Sequence, residues 1–511
     1  MKRYRGLLLF AAVLAGVELQ AQSFAETALL FSRTRPGGSA RIQSLGGAQV
    51  SLGGDFSTAA TNPAGLGMYN RSEFSFSPAQ TNTTVTGDYF AGNQLLSGDN
   101  RDTRPGINLS SLGLVFSSDE GARRGFLRGT FAITLTRLND FNRNIRYQGR
   151  NGSSSLIDFF LEDAAGGNPS QFDEDGALFN TVTELAYNNY LIGQATILDP
   201  SNNPRDYFSD LSEDAIANQE EIFETRGTQN QWSFSYGANF NDRFFVGAGL
   251  GVRSLRYRSE KSFSENYSGQ VVNSFTLDEE LEIRGSGVNL TVGGIARPID
   301  FIQLGVSLTT PTYYSLTDNF SANMRSSWNN YDYYGDGSEI LNNESASTDI
   351  VTSEYDLTTP WRFNAGATIF IQKHGFITAD IEQVNYTQAR YSSEVVGVEF
   401  GSDNDQIKSL YRPVTNIRVG AEFRYQMLRF RGGYQFMPEP FNQEQNGVAR
   451  TMRGITGGIG YRAEKYFVDF ALVHQVGNNS YRPYSINRDE SPLLLFKQSS
   501  TYGLFTVGFT F

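Results

Sequence analysis

The last eleven residues, TYGLFTVGFTF, place Phe505, Val507, Phe509 and Phe511 on one face of an extended strand and Leu504, Thr506, Gly508 and Thr510 on the other. Side chains of a strand alternate between two faces, so nearly all the large apolar groups of this segment lie together. The same two-residue period recurs along the chain in stretches of about ten residues separated by turn signals. It predicts strands at 73–78, 111–117, 130–138, 231–240, 244–257, 280–295 and 301–314. It predicts further strands at 361–371, 376–386, 416–425, 428–436, 452–461, 466–474 and 502–511.

An even number of strands, about fourteen, with one apolar face each fits a cylinder that has lipid outside and a polar lumen inside. The fold class expected is therefore all-β: a transmembrane antiparallel β-barrel closed by a strand that ends on Phe511. That ending also resembles the C-terminal signal read by the barrel-assembly machinery of bacterial outer membranes. Short connections such as Asn241-Asp242-Arg243 alternate with long polar stretches at 315–356 and 391–414, the asymmetry of periplasmic turns and extracellular loops. Trp232, Trp361, Tyr257, Tyr425 and Tyr461 fall near strand ends, where an aromatic girdle is expected.

Three segments break the period. Residues 1–21 carry Lys2, Arg3 and Arg5, then an apolar run to Gly16 and a small-residue end at Ala21, the layout of a secretory signal peptide. Residues 22–70 contain two Leu-Gly-Gly steps and the sequence TNPAGLG, which supply sharp turns to a compact segment. A barrel of this size has a lumen too wide for its own side chains to fill, so this segment is expected inside as a plug. The insertion 151–227 shows helical spacing, with Phe159 and Phe160 on one stretch and Leu178, Val182 and Leu185 on another. Outside the barrel these faces either pack on each other as a cap or form a groove for an apolar ligand.

Composition narrows the chemistry. The net charge of -12 argues against nucleic acid as a partner. The chain has no Cys and only two His, so neither a Cys–His site nor a His-rich metal centre is expected, and no cofactor is implied. No catalytic constellation is recognised, so the chain does not read as an enzyme. Strand phase turns Arg418, Glu422, Arg424, Arg429 and Arg431 inward. A two-residue turn at Gln426-Met427 would set Glu422 opposite Arg431 and Arg424 opposite Arg429. The second pair is two like charges side by side, which calls for an anion, either a ligand carboxylate or Asp380, Glu382 or Asp469.

Together the glycine-rich start, Asn62-Pro63-Ala64-Gly65, the strand tally and the terminal Phe resemble the FadL/TodX family of outer-membrane transporters. The resemblance implies a hatch at 22–70 carrying the Asn-Pro-Ala motif within a barrel at 71–511, in the outer membrane of a Gram-negative bacterium. It implies passive uptake of hydrophobic small molecules, long-chain fatty acids or aromatic hydrocarbons, passing from an outer groove to the lumen and sideways into the bilayer. Membrane lipid and lipopolysaccharide are the expected surroundings, and a monomer the expected state. The alternatives in the same barrel class are an adaptor subunit of a protein-secretion system and a haem receptor.

Overall fold

The computed structural model describes residues 23–123, 125–174, 176–194, 206–212, 214–395, 397–487 and 491–511. The expected signal segment, residues 1–21, lies outside the described residues. Fourteen antiparallel strands form a closed barrel. They are β1 (Glu73–Ala91), β2 (Gln94–Arg123), β3 (Phe126–Asp140), β4 (Ala217–Phe240), β5 (Phe244–Asn266), β6 (Val272–Ile299) and β7 (Ile302–Thr309), then β8 (Arg362–Ile371), β9 (Gly375–Asn385), β10 (Pro413–Tyr425), β11 (Leu428–Met437), β12 (Met452–Arg462), β13 (Tyr466–Tyr481) and β14 (Pro492–Thr510). Neighbours follow chain order, and β14 returns to β1 with Phe509 opposite Phe74.

The faces are those the period dictates. Phe76, Phe234, Leu290, Ile381, Phe470 and Phe505 are exposed on the outside, while Ser75, Thr134, Ser235, Thr378 and Thr506 are buried within. A lipid-facing wall accepts the first set, and only hydrogen-bonded surroundings accept the second. Trp232, Trp361, Tyr425 and Tyr461 point outward at the ends of the apolar band. Tyr257 does not. It lies an odd number of residues from outward Phe244, so it faces the lumen, is 1% exposed and packs edge to face on Phe141 at 5.5 Å.

The long polar stretch at 315–356 is more ordered than a loop. Tyr313–Asp332 continues the ladder with β6, and Ile340–Ser347 and Val351–Thr358 fold back on it. Its outward positions are polar, but Tyr314, Leu316, Met324 and Trp328 are buried on the inner side. These wall extensions carry an apolar interior above the membrane band.

The N-terminal segment occupies the lumen. Helix α1 (Phe24–Ser32) starts at the outer end, where Phe24 meets Tyr355, Tyr391 and Phe400 edge to face at 5.1–5.5 Å. The chain then descends through α2 (Ala40–Gln43), α3 (Thr58–Thr61) and a 3₁₀ turn (Pro63–Met68) before entering β1. Polar wall residues satisfy its backbone: Ser235 Oγ donates to Ala59 O at 2.8 Å, and Thr456 Oγ1 donates to Ser44 O at 2.9 Å.

Candidate functional site

The motif residues hold the lower plug together. Asn62, fully buried, accepts from Ala64 N at 3.2 Å and donates to Val50 O at 2.6 Å. Pro63 opens the 3₁₀ turn, where its missing N–H costs nothing. Ala64 packs against Phe245 and Ile295, and Gly65 O accepts from Gly54 N at 3.2 Å. Asp380 on β9 fixes the next loop, accepting from Gln49 N and Val50 N at 2.6 and 2.8 Å. The plug backbone lies directly on wall glycines. A Cβ on Gly247 would come within 2.3 Å of Pro63 C, and one on Gly433 within 2.3 Å of Gly46 N.

The arginines picked out by strand phase are paired with neighbouring groups of the wall. Arg424 and Arg429 are opposed across the Gln426-Met427 turn, as are Glu422 and Arg431. Arg424 Nε donates to Glu422 Oε1 at 2.7 Å, and Arg429 donates to the carbonyls of Gln426 and Leu428 at 2.7 and 2.9 Å. Both groups are thus satisfied at the turn end of the barrel, with no carboxylate ligand required. Glu382, Asp469 and Arg431 complete the lining: Arg431 donates to Glu422 and to Asp469 at 2.7 and 2.5 Å.

The insertion contains helices α4 (Leu156–Ala164) and α5 (Val182–Asn188). Phe159, Phe160, Leu178, Val182 and Leu185 are all buried in one cluster with Trp328, Tyr333 and Tyr484. Their apolar faces pack against the wall extensions, the arrangement of a cap, which is one of the two alternatives the spacing left open. The residues behave as the core of a cap. Replacing Phe160 by Ala should destabilise that cap by about 3–5 kcal/mol, visible as faster amide exchange at 156–188 with the barrel unchanged.

Two features emerge only in three dimensions. The first is a seam in the wall. β2 shares a ladder with β3 only from Ser111 opposite Thr136 downward. Beyond it, residues 94–110 pair only with β1, while the end of β3 and the segment Arg143–Asn151 pair only with β4. The break follows from a kink at Phe141 and Asn142. Asp140 Oδ1 accepts from Asn142 N at 3.0 Å, and Phe141 turns into the lumen, 5.8 Å from the Phe31 ring. Side chains span the seam in place of a ladder. Asn108 donates to Asp140 at 3.3 Å, and Arg104 reaches Asn144 and Glu224, the latter at 3.0 Å. Ile107 beside it faces outward and is 88% exposed.

The second is a cavity of about 220 Å³ between α1 and the wall at Asn139–Arg143. Leu29, Phe141, Ile145, Phe223 and Phe496 give it an apolar side; Arg33, Arg35, Arg143 and Arg450 give it four cations against Glu26 and Asp140. Arg450 pairs with Glu26 at 3.3 Å, and Arg143 lies 5.7 Å from the Phe223 and Phe496 rings. Burial pushes the Arg35 guanidinium down to about 10, against the raising effect of Asp140. A smaller cavity of about 60 Å³ shares Arg35, Asn139 and Asp140 and continues to Asn108 and Ser110 at the seam. The four arginines come from three distant parts of the chain, Arg33 and Arg35 from the N-terminal segment, and none carries a spacing signal.

No protein-family model matches the sequence, and no curated protein matches it. Among solved structures the chain is similar to a FadL homologue from Pseudomonas aeruginosa, at 13% identity and a TM-score of 0.55, over 94% of this chain and 99% of that one. It also aligns with the Pseudomonas putida toluene transporter TodX at 12% identity and a TM-score of 0.49, covering 94% and 100%. The first likeness places the chain in a class by fold: a plugged fourteen-stranded barrel of the FadL type.

Proposed function

We propose that the protein is an outer-membrane channel for passive uptake of hydrophobic compounds, in which the ligand leaves sideways through the seam. The observation that carries this reading is the seam itself, backed by two neighbouring cavities that share lining residues and flanked by outward apolar residues. The plug fills the lower lumen, which argues against a straight aqueous path to the periplasm. Lateral release keeps an apolar ligand out of water, and each buried methylene contributes about 0.8 kcal/mol to holding it. The outer-membrane placement rests on the barrel's apolar belt and its FadL-type fold.

The ligand class we favour is a long-chain acid. An apolar cavity with more cations than carboxylates suits a carboxylate head and a hydrocarbon tail. Arg35→Gln with Arg143→Gln should weaken binding of a long-chain fatty acid by about 1.5–3 kcal/mol, tenfold or more, and leave a neutral alkane unaffected. Equal loss for both ligands in a fluorescence-displacement titration would count against the acid reading. Arg424→Gln with Arg429→Gln should change neither. Uptake into vesicles reconstituted with the purified protein tests the transport reading directly.

A further inference from the structure

The outer wall carries a charge layer that uptake does not use. On β4, β5, β6 and the segment Tyr313–Asp332, one register row reads Trp232, Val252, Val288, Tyr313. All four face outward and mark the upper edge of the apolar belt. Four residues further along each strand, Arg256 stands opposite Arg284. One outward position beyond, Arg226 stands opposite Arg258, which is opposite Glu282. The next row is acidic throughout: Glu224, Glu260, Glu280. The two rows nearest the membrane thus hold four arginines and one glutamate.

Height identifies what meets them. Four residues at about 3.3 Å each, on strands tilted about 35–45°, raise the first arginine row some 10 Å above the aromatic edge. The headgroup layer rises about 5–7.5 Å from that edge, and arginine side chains at this height reach down into it. The side chains remain 38–61% exposed although each touches a glutamate, as in Arg226–Glu224 at 2.6 Å and Arg284–Glu282 at 2.7 Å. Exposed pairs of this kind contribute about 0–1 kcal/mol, so a better anion can draw the guanidinium away. Arginines directly opposed on neighbouring strands repel, and an anion seated between them removes that cost. A phosphate accepts two parallel N–H groups from one guanidinium and suits the site. On β1 and β14 the residues that follow the apolar belt are neutral, as at Gln80, Asn82, Thr84, Ser499 and Thr501.

We infer that Arg226, Arg256, Arg258 and Arg284 form a binding face for the phosphate groups of a phosphorylated glycolipid of the outer leaflet. The inference rests on the outer-membrane placement proposed above. The acidic row beyond it repels the phosphates and so sets the depth at which they sit.

Native mass spectrometry of the full-length protein in detergent tests it, with a bis-phosphorylated lipid A, the same lipid after dephosphorylation, and inorganic phosphate as probes. The parent protein should retain the phosphorylated lipid roughly tenfold or more better than the dephosphorylated one. The variant R226Q/R256Q/R258Q/R284Q should lose that preference, and E224Q/E260Q/E280Q should keep it. Equal retention by the parent and the arginine variant overturns the inference. Displacement of the lipid by millimolar inorganic phosphate also overturns it, since the site would then be one for a free ion. Should the quadruple variant fail to fold, R226Q/R258Q and R256Q/R284Q serve separately, and unchanged preference in both has the same force. Uptake into vesicles of neutral lipid should be equal for the parent and the arginine variants, so failure here leaves the transport reading standing.

Discussion

Cross-linking cysteines placed at Asn108 and Asp140 is expected to reduce uptake of hydrophobic compounds to the level of protein-free vesicles, and cleaving the linker to restore it. The chain has no cysteine of its own, so a short cleavable thiol reagent acts only at the introduced pair. The two side chains now meet at 3.3 Å across the stretch above Ser111 where β2 and β3 share no ladder. A hydrogen bond there contributes about 0.5–1.5 kcal/mol, which thermal motion readily breaks, whereas a covalent tie does not open. Cysteines placed at Ser111 and Thr136, where the ladder is intact, give the control. Linking that pair should leave uptake unaltered, because those strands need not separate. Full uptake with the seam covalently closed would place the exit elsewhere.

The wall was legible because lipid and lumen impose a period of two on every strand. Each of the fourteen predicted stretches falls on an observed strand, though 301–314 runs past the end of β7 at Thr309 into the next segment, and the turn at Gln426-Met427 sets Glu422 opposite Arg431 as phase and turn length require. Tyr257 shows where proximity to a strand end misleads and parity decides. The outer extensions were hidden for a related reason. Their exposed faces are polar like a loop, and the aromatic residues between them, Tyr314 and Trp328, look like isolated anchors until the fold closes over them. Helical spacing revealed the apolar faces at Phe159 and Leu185 but not their cover, which comes from Trp328, Tyr333 and Tyr484 far along the chain. The seam left no mark at all. A missing ladder changes no residue type, and Asn108, Asp140 and Arg104 read as ordinary polar strand residues.

Glycine abundance was visible in the composition, yet its principal use in the wall was not, and this leads to the last expectation. Replacing Gly247 and Gly433 together by Ala should loosen the plug and raise leakage of small polar solutes in vesicle swelling. Both glycines face inward, on β5 and β11, and both touch plug backbone. The added Cβ atoms would meet Pro63 C and Gly46 N at 2.3 Å, closer than any stable contact. A flexible side chain could swing aside, but these neighbours are main chain, and the Asn62 and Asp380 hydrogen bonds hold them in place. Overpacking of this kind costs about 1–3 kcal/mol per site. Moving the plug away from Gly247 does nothing to relieve the clash at Gly433, so the double variant should leak more than either single one. Gly432 supplies the comparison. It is exposed on the outside of β11, and a Cβ there finds its nearest neighbour, Thr456 O, at 3.8 Å, so Gly432→Ala should leak no more than the parent. If the double variant is as tight as the parent, the barrel has widened to absorb the methyl groups, and the plug is not held by fit against these glycines.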